Sequence, residues 1–384
     1  MDPIIILGTG LAGYTVAREF RKYDSTTPLL LISRDDGSAY SKPMLSNALA
    51  MRKTPQQLVN FDALTMEKQL NACILTNRSV EAIDLQKQQV VISVSQNRRS
   101  YSQLVLALGA EPRRLALAGS GAADILSVND LRGYARFRDA LEGCRTVAIL
   151  GAGLIGCEFA NDLALAGYQV EVIDPATAPL SRLVPPEVGD AFAGGLRQHG
   201  VRFHLGCTPV AVERCAEDYH VMLADGGLIE ADLVVSAIGL APRMELASAA
   251  GIETDCGIRT DDLCQTSARH VYALGDCASF QGRLQPYVLP IMHAARALGA
   301  TLSGKPTRVA YPVMPVSVKT PALPAVVVTP LDNHREWRMD PPTPQAVRAI
   351  CRNPASGRTT GFSLMGSEAL KEKAALLAEI GKIN

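Results

Sequence analysis

Residues 3–13 read Pro3-Ile4-Ile5-Ile6-Leu7-Gly8-Thr9-Gly10-Leu11-Ala12-Gly13, an apolar run that breaks on glycine and passes into a helical pattern through Tyr14, Val16, Ala17 and Phe20. Strand, glycine turn and helix in that order make a cradle for a pyrophosphate. The glycines let the backbone turn sharply and approach the phosphates, and the helix N-terminus offers free N–H groups with a partial positive charge. Taken alone, the pattern also suits a plain turn in some other α/β protein. Its recurrence counts strongly against that. Thr146-Val147-Ala148-Ile149-Leu150 leads into Gly151-Ala152-Gly153-Leu154-Ile155-Gly156 and a helix carrying Cys157, Glu158, Phe159, Leu163 and Leu165. The expected fold class is α/β, with two Rossmann-like dinucleotide-binding domains.

After the second helix, Gly167 turns the chain into Val170-Glu171-Val172-Ile173-Asp174. This sets a carboxylate about 20 residues past the glycines, where the fingerprint places the partner of a ribose 2′-OH. A carboxylate there repels a 2′-phosphate, so the second site prefers NADH to NADPH; Arg182 is the one nearby residue that works the other way. The first site departs from this rule. Its second strand, Leu29-Leu30-Leu31-Ile32, ends in Ser33-Arg34-Asp35-Asp36, with Ser33 where the acid is expected. Either Ser33 and Arg34 hold the adenosine ribose through hydroxyl, backbone and guanidinium contacts, or Asp35 swings back to do so. Asp35-Asp36-Gly37 also reads as a simple turn.

The 384 residues are 47% hydrophobic and 20% charged, with 38 Lys and Arg against 38 Asp and Glu. That composition fits a globular protein of two or three domains, and the neutral total removes the main warrant for nucleic-acid binding. Apolar runs such as Ile4–Leu7 and Pro324–Val328 are of strand length, far short of the roughly 20 residues that cross a bilayer. The opening Met1-Asp2-Pro3 has no basic n-region and no small-residue cleavage site, so a cytoplasmic enzyme without a membrane span is expected. Nine scattered cysteines, never spaced C-x-x-C, read as reduced thiols rather than a disulfide framework or a zinc site. His199, His204 and His293 lack ligand spacing, so no metal is expected.

Two dinucleotide folds in one chain suggest FAD in the first and a nicotinamide in the second. Leu104-Val105-Leu106-Ala107-Leu108-Gly109-Ala110-Glu111-Pro112 and Leu233-Val234-Val235-Ser236-Ala237-Ile238-Gly239-Leu240-Ala241-Pro242 are near copies of one another. They resemble the crossing points between the domains of a two-dinucleotide flavin reductase. Val271-Tyr272-Ala273-Leu274-Gly275-Asp276-Cys277-Ala278 resembles the strand whose aspartate binds the FAD ribitol in that family. Tyr40-Ser41-Lys42-Pro43-Met44-Leu45-Ser46 resembles the R/K-P-x-L-S segment of the rubredoxin and ferredoxin reductase branch of the pyridine nucleotide-disulfide oxidoreductase superfamily. Disulfide reductases of the superfamily carry a redox cysteine pair on this segment, and the NADH peroxidase and oxidase branch carries one cysteine. Here the first cysteine is Cys73. A thiol mechanism beside the flavin thus lacks its nucleophile, and electrons must leave the flavin directly.

The resemblance covers nearly the whole chain and is nearest to the rubredoxin and flavorubredoxin reductases. Val316-Ser317-Val318-Lys319-Thr320-Pro321 resembles their interdomain strand, where ferredoxin reductases tend to place an aromatic. Asn47 stands where ferredoxin reductases place a lysine, so the lysine to glutamate pair of that branch is altered. The family implies a discontinuous FAD domain (residues 1–112 and 240–315), an NADH domain (113–239) and a small α/β C-terminal domain (316–384). It places FAD on Gly8, Thr9, Gly10, Leu11, Ala12 and Gly13, with Ser33, Arg34 and Asp35 near the ribose and Val80 at the adenine. Ala107, Leu108, Gly109, Ile238, Gly239, Gly275, Asp276 and the Val288 backbone complete the cofactor contacts. NADH falls to Gly151, Gly153, Leu154, Ile155, Gly156, Asp174 and Arg182. Lys42, Pro43 and Lys319 are implied flavin neighbours, the lysine charges stabilising the reduced anion; Glu158 faces the flavin, pairs with Lys42 or lies on the helix surface. The implied reaction passes a hydride from NADH to FAD and then single electrons to rubredoxin, for example to supply alkane hydroxylation. Flavorubredoxin and the ferredoxin of an oxygenase are the alternative acceptors. From residue 316 onward nine Lys and Arg stand against six Asp and Glu, and Arg335, Arg338, Arg348, Arg352 and Arg358 are available to steer an acidic rubredoxin. Trp337 is either partner-facing or core.

Overall fold

The computed structural model describes residues 1–93, 97–330, 336–343 and 346–381. They form two compact units, Met1–Ser41 with Gln56–Glu111 and Leu240–Tyr311, and Lys42–Pro55 with Pro112–Gly239 and Pro312–Asn384. The short segment Lys42–Pro55 therefore clusters with the second glycine motif, although it lies in sequence inside the first dinucleotide fold.

The first unit is built on a five-stranded parallel sheet in the order Val271–Ala273, Gln103–Leu106, Ile4–Leu7, Leu29–Ile32, Cys73–Leu75. Ile4–Leu7 and Leu29–Ile32 are buried throughout, as expected of parallel strands covered on both faces. Alternation divides them. Ile4 and Ile6 meet Val16, Ala17, Phe20 and Leu298 on one face, while Ile5 and Leu7 meet Ile83, Val90 and Ile92 on the other. The first cover is the helix Leu11–Arg21 with the helix Val288–Leu302; the second is the antiparallel meander of Val80–Asp84, Gln89–Ile92 and Asn97–Ser100. At Gly299 a Cβ would sit 2.8 Å from backbone atoms of Glu19 and Phe20, so a side-chain-free position lets the two helices approach.

The second unit repeats the plan with a four-stranded parallel sheet, Val201–Leu205, Gln169–Asp174, Thr146–Leu150, Leu233–Ser236, joined by the helices Leu154–Leu165 and Pro186–Arg197. A three-stranded meander, Pro209–Cys215, Asp218–Leu223 and Leu228–Ala231, packs Val212, Val221 and Ile229 against Ala148, Leu150 and Val234. The C-terminal residues add an antiparallel sheet in the order Val316–Val318, Ala325–Val328, Thr359–Met365, Val347–Arg352, Glu336–Met339, backed by the helix Lys373–Gly381 through Leu376 and Ile380. Among the described residues no helix is long and apolar enough to cross a membrane.

Candidate functional site

In the first unit, the residues expected at the cofactor stand at the carboxyl ends of adjacent parallel strands. Leu7 is in register with both Ile32 and Leu106, and Leu106 with Ala273. The next residues along, Gly8, Ser33, Ala107 and Leu274, therefore share one level, the crevice where open α/β sheets bind ligands. The glycines differ in what they do. Gly8 has φ +113°, and a Cβ on it would overlap the Ala107 carbonyl oxygen; a Cβ on Gly13 would overlap the Gly8 carbonyl oxygen. Gly10 has nothing within 4 Å and opens onto free space. It is also the N-cap of the helix Leu11–Arg21, with no side chain accepting from the first N–H groups. Open space above uncapped helical donors is the fit that a pyrophosphate requires. Gly275, at φ +82°, brings the turn carrying Asp276 against Ala12, where a Cβ would lie 2.9 Å from the Ala12 Cβ.

Ser33 and Asp35 meet in one hydrogen-bond network. The Thr9 hydroxyl donates to Ser33 Oγ at 2.6 Å, and Ser33 Oγ donates to Asp35 Oδ1 at 2.5 Å. Asp35 Oδ1 also accepts from the Gly37 N–H at 3.0 Å, so Asp35 swings back to the strand end and closes the turn together. Arg34 is exposed. Val80 begins the first strand of the meander and is half-buried; Val288 begins the helix Val288–Leu302, exposed, behind an N-cap without a side-chain partner. Ala107 is buried, Leu108 and Gly109 follow it, and the Arg243 guanidinium donates to the Leu108 carbonyl at 3.0 Å.

The second cradle has the same mechanics. Gly151 has φ +110° with a Cβ position 2.8 Å from the Ala237 carbonyl oxygen, a Cβ on Gly156 would overlap the Gly151 carbonyl oxygen, and Gly153 is open. Gly153 is the uncapped start of the helix Leu154–Leu165, on whose first turn Leu154 and Ile155 lie. Asp174 stands beside it, one oxygen accepting from the Ala152 N–H at 2.6 Å and the other from the Ala176 N–H at 2.7 Å. Fixed in this way, each oxygen keeps lone pairs for further donors. Ile238 and Gly239 follow the strand Leu233–Ser236 at the same edge; Arg182 is exposed.

Glu158 departs from one of its three expected settings. It is 3% exposed rather than on the helix surface, and it pairs with Lys319. Glu158 Oε2 meets Lys319 Nζ at 3.0 Å and accepts from Ser46 Oγ at 2.6 Å, while Oε1 accepts the Lys319 backbone N–H at 2.9 Å. Lys319 Nζ also donates to the Pro43 carbonyl at 2.7 Å. The lysine to glutamate pair is therefore present, its lysine supplied by a late strand end; Asn47 instead donates to Ser46 Oγ at 3.4 Å. Lys42 and Pro43 lie half-buried on one 3-10 turn, Lys42–Met44. Sequence reasoning missed Ser46, Asn161 and Asp162. Asp162, buried on the Glu158 helix, accepts from the Leu49 N–H at 3.0 Å and the Ala50 N–H at 2.8 Å. The one sequence signal for Asn161 and Asp162 is their spacing with Glu158, three polar residues at i, i+3, i+4 on a helix that is otherwise largely apolar.

The buried cysteines Cys157, Cys264 and Cys277 suit no thiolate chemistry. Burial pushes the Cys277 thiol up to about 11 and the Cys264 thiol to about 12, and raises Cys157 further. A protonated thiol is a poor nucleophile at neutral pH. In the C-terminal sheet, Arg338, Arg352 and Arg358 are exposed, whereas Arg348 is bound by Asp340 at 2.8 Å and Glu372 at 2.9 Å. Trp337 is half-buried on the edge strand Glu336–Met339, and Arg335 lies outside the described residues.

Two glycine cradles, each at the carboxyl edge of its own parallel sheet, define a two-dinucleotide α/β protein. Residues 2–299 match the family described as pyridine nucleotide-disulphide oxidoreductase, and residues 308–380 match the rubredoxin binding C-terminal domain. The chain is 45% identical to a rubredoxin-NAD(+) reductase of Alcanivorax borkumensis over the full length of both, and 45% identical to one of Acinetobacter baylyi over 98% of this chain and 97% of that protein. Its structure superposes on the reductase in a putidaredoxin reductase–putidaredoxin complex with a TM-score of 0.88 and 26% identity, over 99% of this chain and 94% of that one. This chain belongs to the pyridine nucleotide-disulphide oxidoreductase family. Its cofactors are FAD and NAD(H).

Proposed function

We propose that the chain oxidises NADH and delivers the electrons singly, through bound FAD, to rubredoxin. The observation that carries this reading is a C-terminal domain of the rubredoxin-binding type following two dinucleotide cradles in one chain. Bound FAD supplies the link between a two-electron donor and a one-electron acceptor. Gly8, Gly10 and Gly13 take its pyrophosphate, Ser33 and Asp35 its adenosine ribose, Val80 its adenine, and Asp276 its ribitol. Gly151, Gly153 and Gly156 take the pyrophosphate of NADH, and Asp174 its ribose hydroxyls.

Lys319 and Lys42 are assigned to the flavin side. Glu158 and the Pro43 carbonyl hold the Lys319 ammonium in one place, as a fixed charge meant to favour an anionic acceptor requires. No side chain is assigned a covalent role. A reducing compartment, the cytoplasm, is proposed with this function, and nine free cysteines support it.

The test is NADH-dependent cytochrome c reduction by the purified protein under anaerobic conditions, with rubredoxin, with ferredoxin and with no carrier. Large stimulation by rubredoxin alone is expected. Stimulation by ferredoxin alone would replace the acceptor, and stimulation by neither, with NADH still bleaching the flavin, would remove the rubredoxin reading.

A further inference from the structure

The helix Leu154–Leu165 carries three polar side chains just past its glycine turn, and all three are inside: Glu158, Asn161 and Asp162 are 3%, 1% and 2% exposed. Their spacing aligns them on one stripe. Each is spent on backbone or side-chain groups far away in sequence. Glu158 holds Ser46 and Lys319, Asn161 Oδ1 accepts from the Ala322 N–H at 3.2 Å, and Asp162 holds the N–H groups of Leu49 and Ala50. A carboxylate buried in a helix is costly unless its hydrogen bonds serve a purpose. Burial raises the Asp162 pKa above the ordinary carboxylate range, and the two backbone donors act against that rise.

The arrangement is a clamp with two jaws one helical turn apart. Glu158 and Asp162 are four residues apart on the helix, about 6 Å along its axis, and they grip Ser46 and Leu49–Ala50 on a segment that itself turns tightly. In that segment the Leu45 N–H bonds the Lys42 carbonyl at 3.1 Å and the Asn47 N–H bonds the Met44 carbonyl at 3.1 Å. Its leading end presents the Pro43 carbonyl to Lys319. We propose that Asp162 is a positioning residue for the Lys319–Glu158 pair, fixing the far end of the segment whose near end orients Lys319. With the Asp162 jaw open, Glu158 still holds Ser46 and Arg138 still donates to the Lys53 carbonyl at 3.0 Å, but Leu49 and Ala50 between them are released, and the Pro43 carbonyl is less firmly placed. The consequence for electron flow rests on the assignment of Lys319 to the flavin side; the clamp itself does not.

The test uses the full-length, FAD-loaded protein with Asp162→Ala, and with Asp162→Asn, which keeps one acceptor, should the first variant fold poorly. Amide hydrogen exchange is read at Leu49, Ala50 and Lys319. The proposal expects exchange at the Lys319 amide to rise about tenfold along with that at Leu49 and Ala50. Faster exchange confined to Leu49 and Ala50 would overturn it, because Asp162 would then serve only its own local contact. Stopped-flow flavin reduction by NADH supplies the second readout, with a double-mutant cycle against Lys319→Ala. Asp162→Ala should slow hydride transfer by about tenfold at unchanged NADH affinity and flavin content, and should have no further effect once Lys319 is gone. Additive losses would overturn the proposal. Should Lys319→Ala leave the reduction rate untouched while Asp162→Ala still loosens the Lys319 amide, the flavin-side assignment of Lys319 fails and the positioning role stands.

Discussion

A methyl group added at Gly10 and one added at Gly13 are the same chemical change with different physical consequences. At Gly13 the new carbon falls on the Gly8 carbonyl oxygen, a backbone atom that cannot rotate away. Overpacking of this kind costs about 1–3 kcal/mol or more, so Gly13→Ala should lower the urea midpoint of the flavin-free protein. At Gly10 there is nothing within 4 Å, and φ −72° with ψ −172° suits any residue. Gly10→Ala should therefore leave the flavin-free protein as stable as the parent while flavin retained through purification falls. Equal flavin content in the two proteins would take the pyrophosphate away from this turn.

Two helices set the geometry around the first cradle, and the contact between them rests on one position. Alanine at Gly299 gains about 1 kcal/mol of helix propensity but sets a carbon 2.8 Å from the backbone of Glu19 and Phe20. The overlap costs about 1–3 kcal/mol and wins, so Gly299→Ala should destabilise the first unit and lower its thermal midpoint; a raised midpoint would mean the helices can part without loss. Elements of this sort were unevenly legible in the sequence. The two strand–glycine–helix cradles were readable because each glycine has a local mechanical reason to be there. The strand end at Ser33 was readable only as a choice, since the rotamer that lets Asp35 bond Ser33 and the Gly37 N–H together has no sequence signature. Asp162 drew no reading and Glu158 only a choice of three settings, because their partners, Ser46, Leu49 and Lys319, are more than a hundred residues away in the chain. Nothing local announces a carboxylate whose burial is made by such distant segments.

On the scale of the whole molecule, a chain of zero formal charge concentrates a small positive excess in its C-terminal part. The structure sorts that excess into working and spent charge. Arg348 is held between Asp340 and Glu372 and presents little free field. Arg338, Arg352 and Arg358 are exposed, with Arg352 and Arg358 at the end of one hairpin, where the Arg352 guanidinium donates to the Gly357 carbonyl at 3.0 Å. Charges within a Debye length of about 8–10 Å act together on an approaching partner, and their effect falls mainly on the association rate. Reversing both, Arg352→Glu with Arg358→Glu, should lower kcat/KM for an acidic rubredoxin by about tenfold at low ionic strength. The deficit should shrink toward nothing as salt is raised, because screening removes the attraction from the parent and the repulsion from the variant alike. Reduction of a neutral quinone should not change in either protein, since hydride transfer from NADH involves neither arginine. A variant that reduces rubredoxin as fast as its parent at low salt would place the docking surface on another face, away from this hairpin.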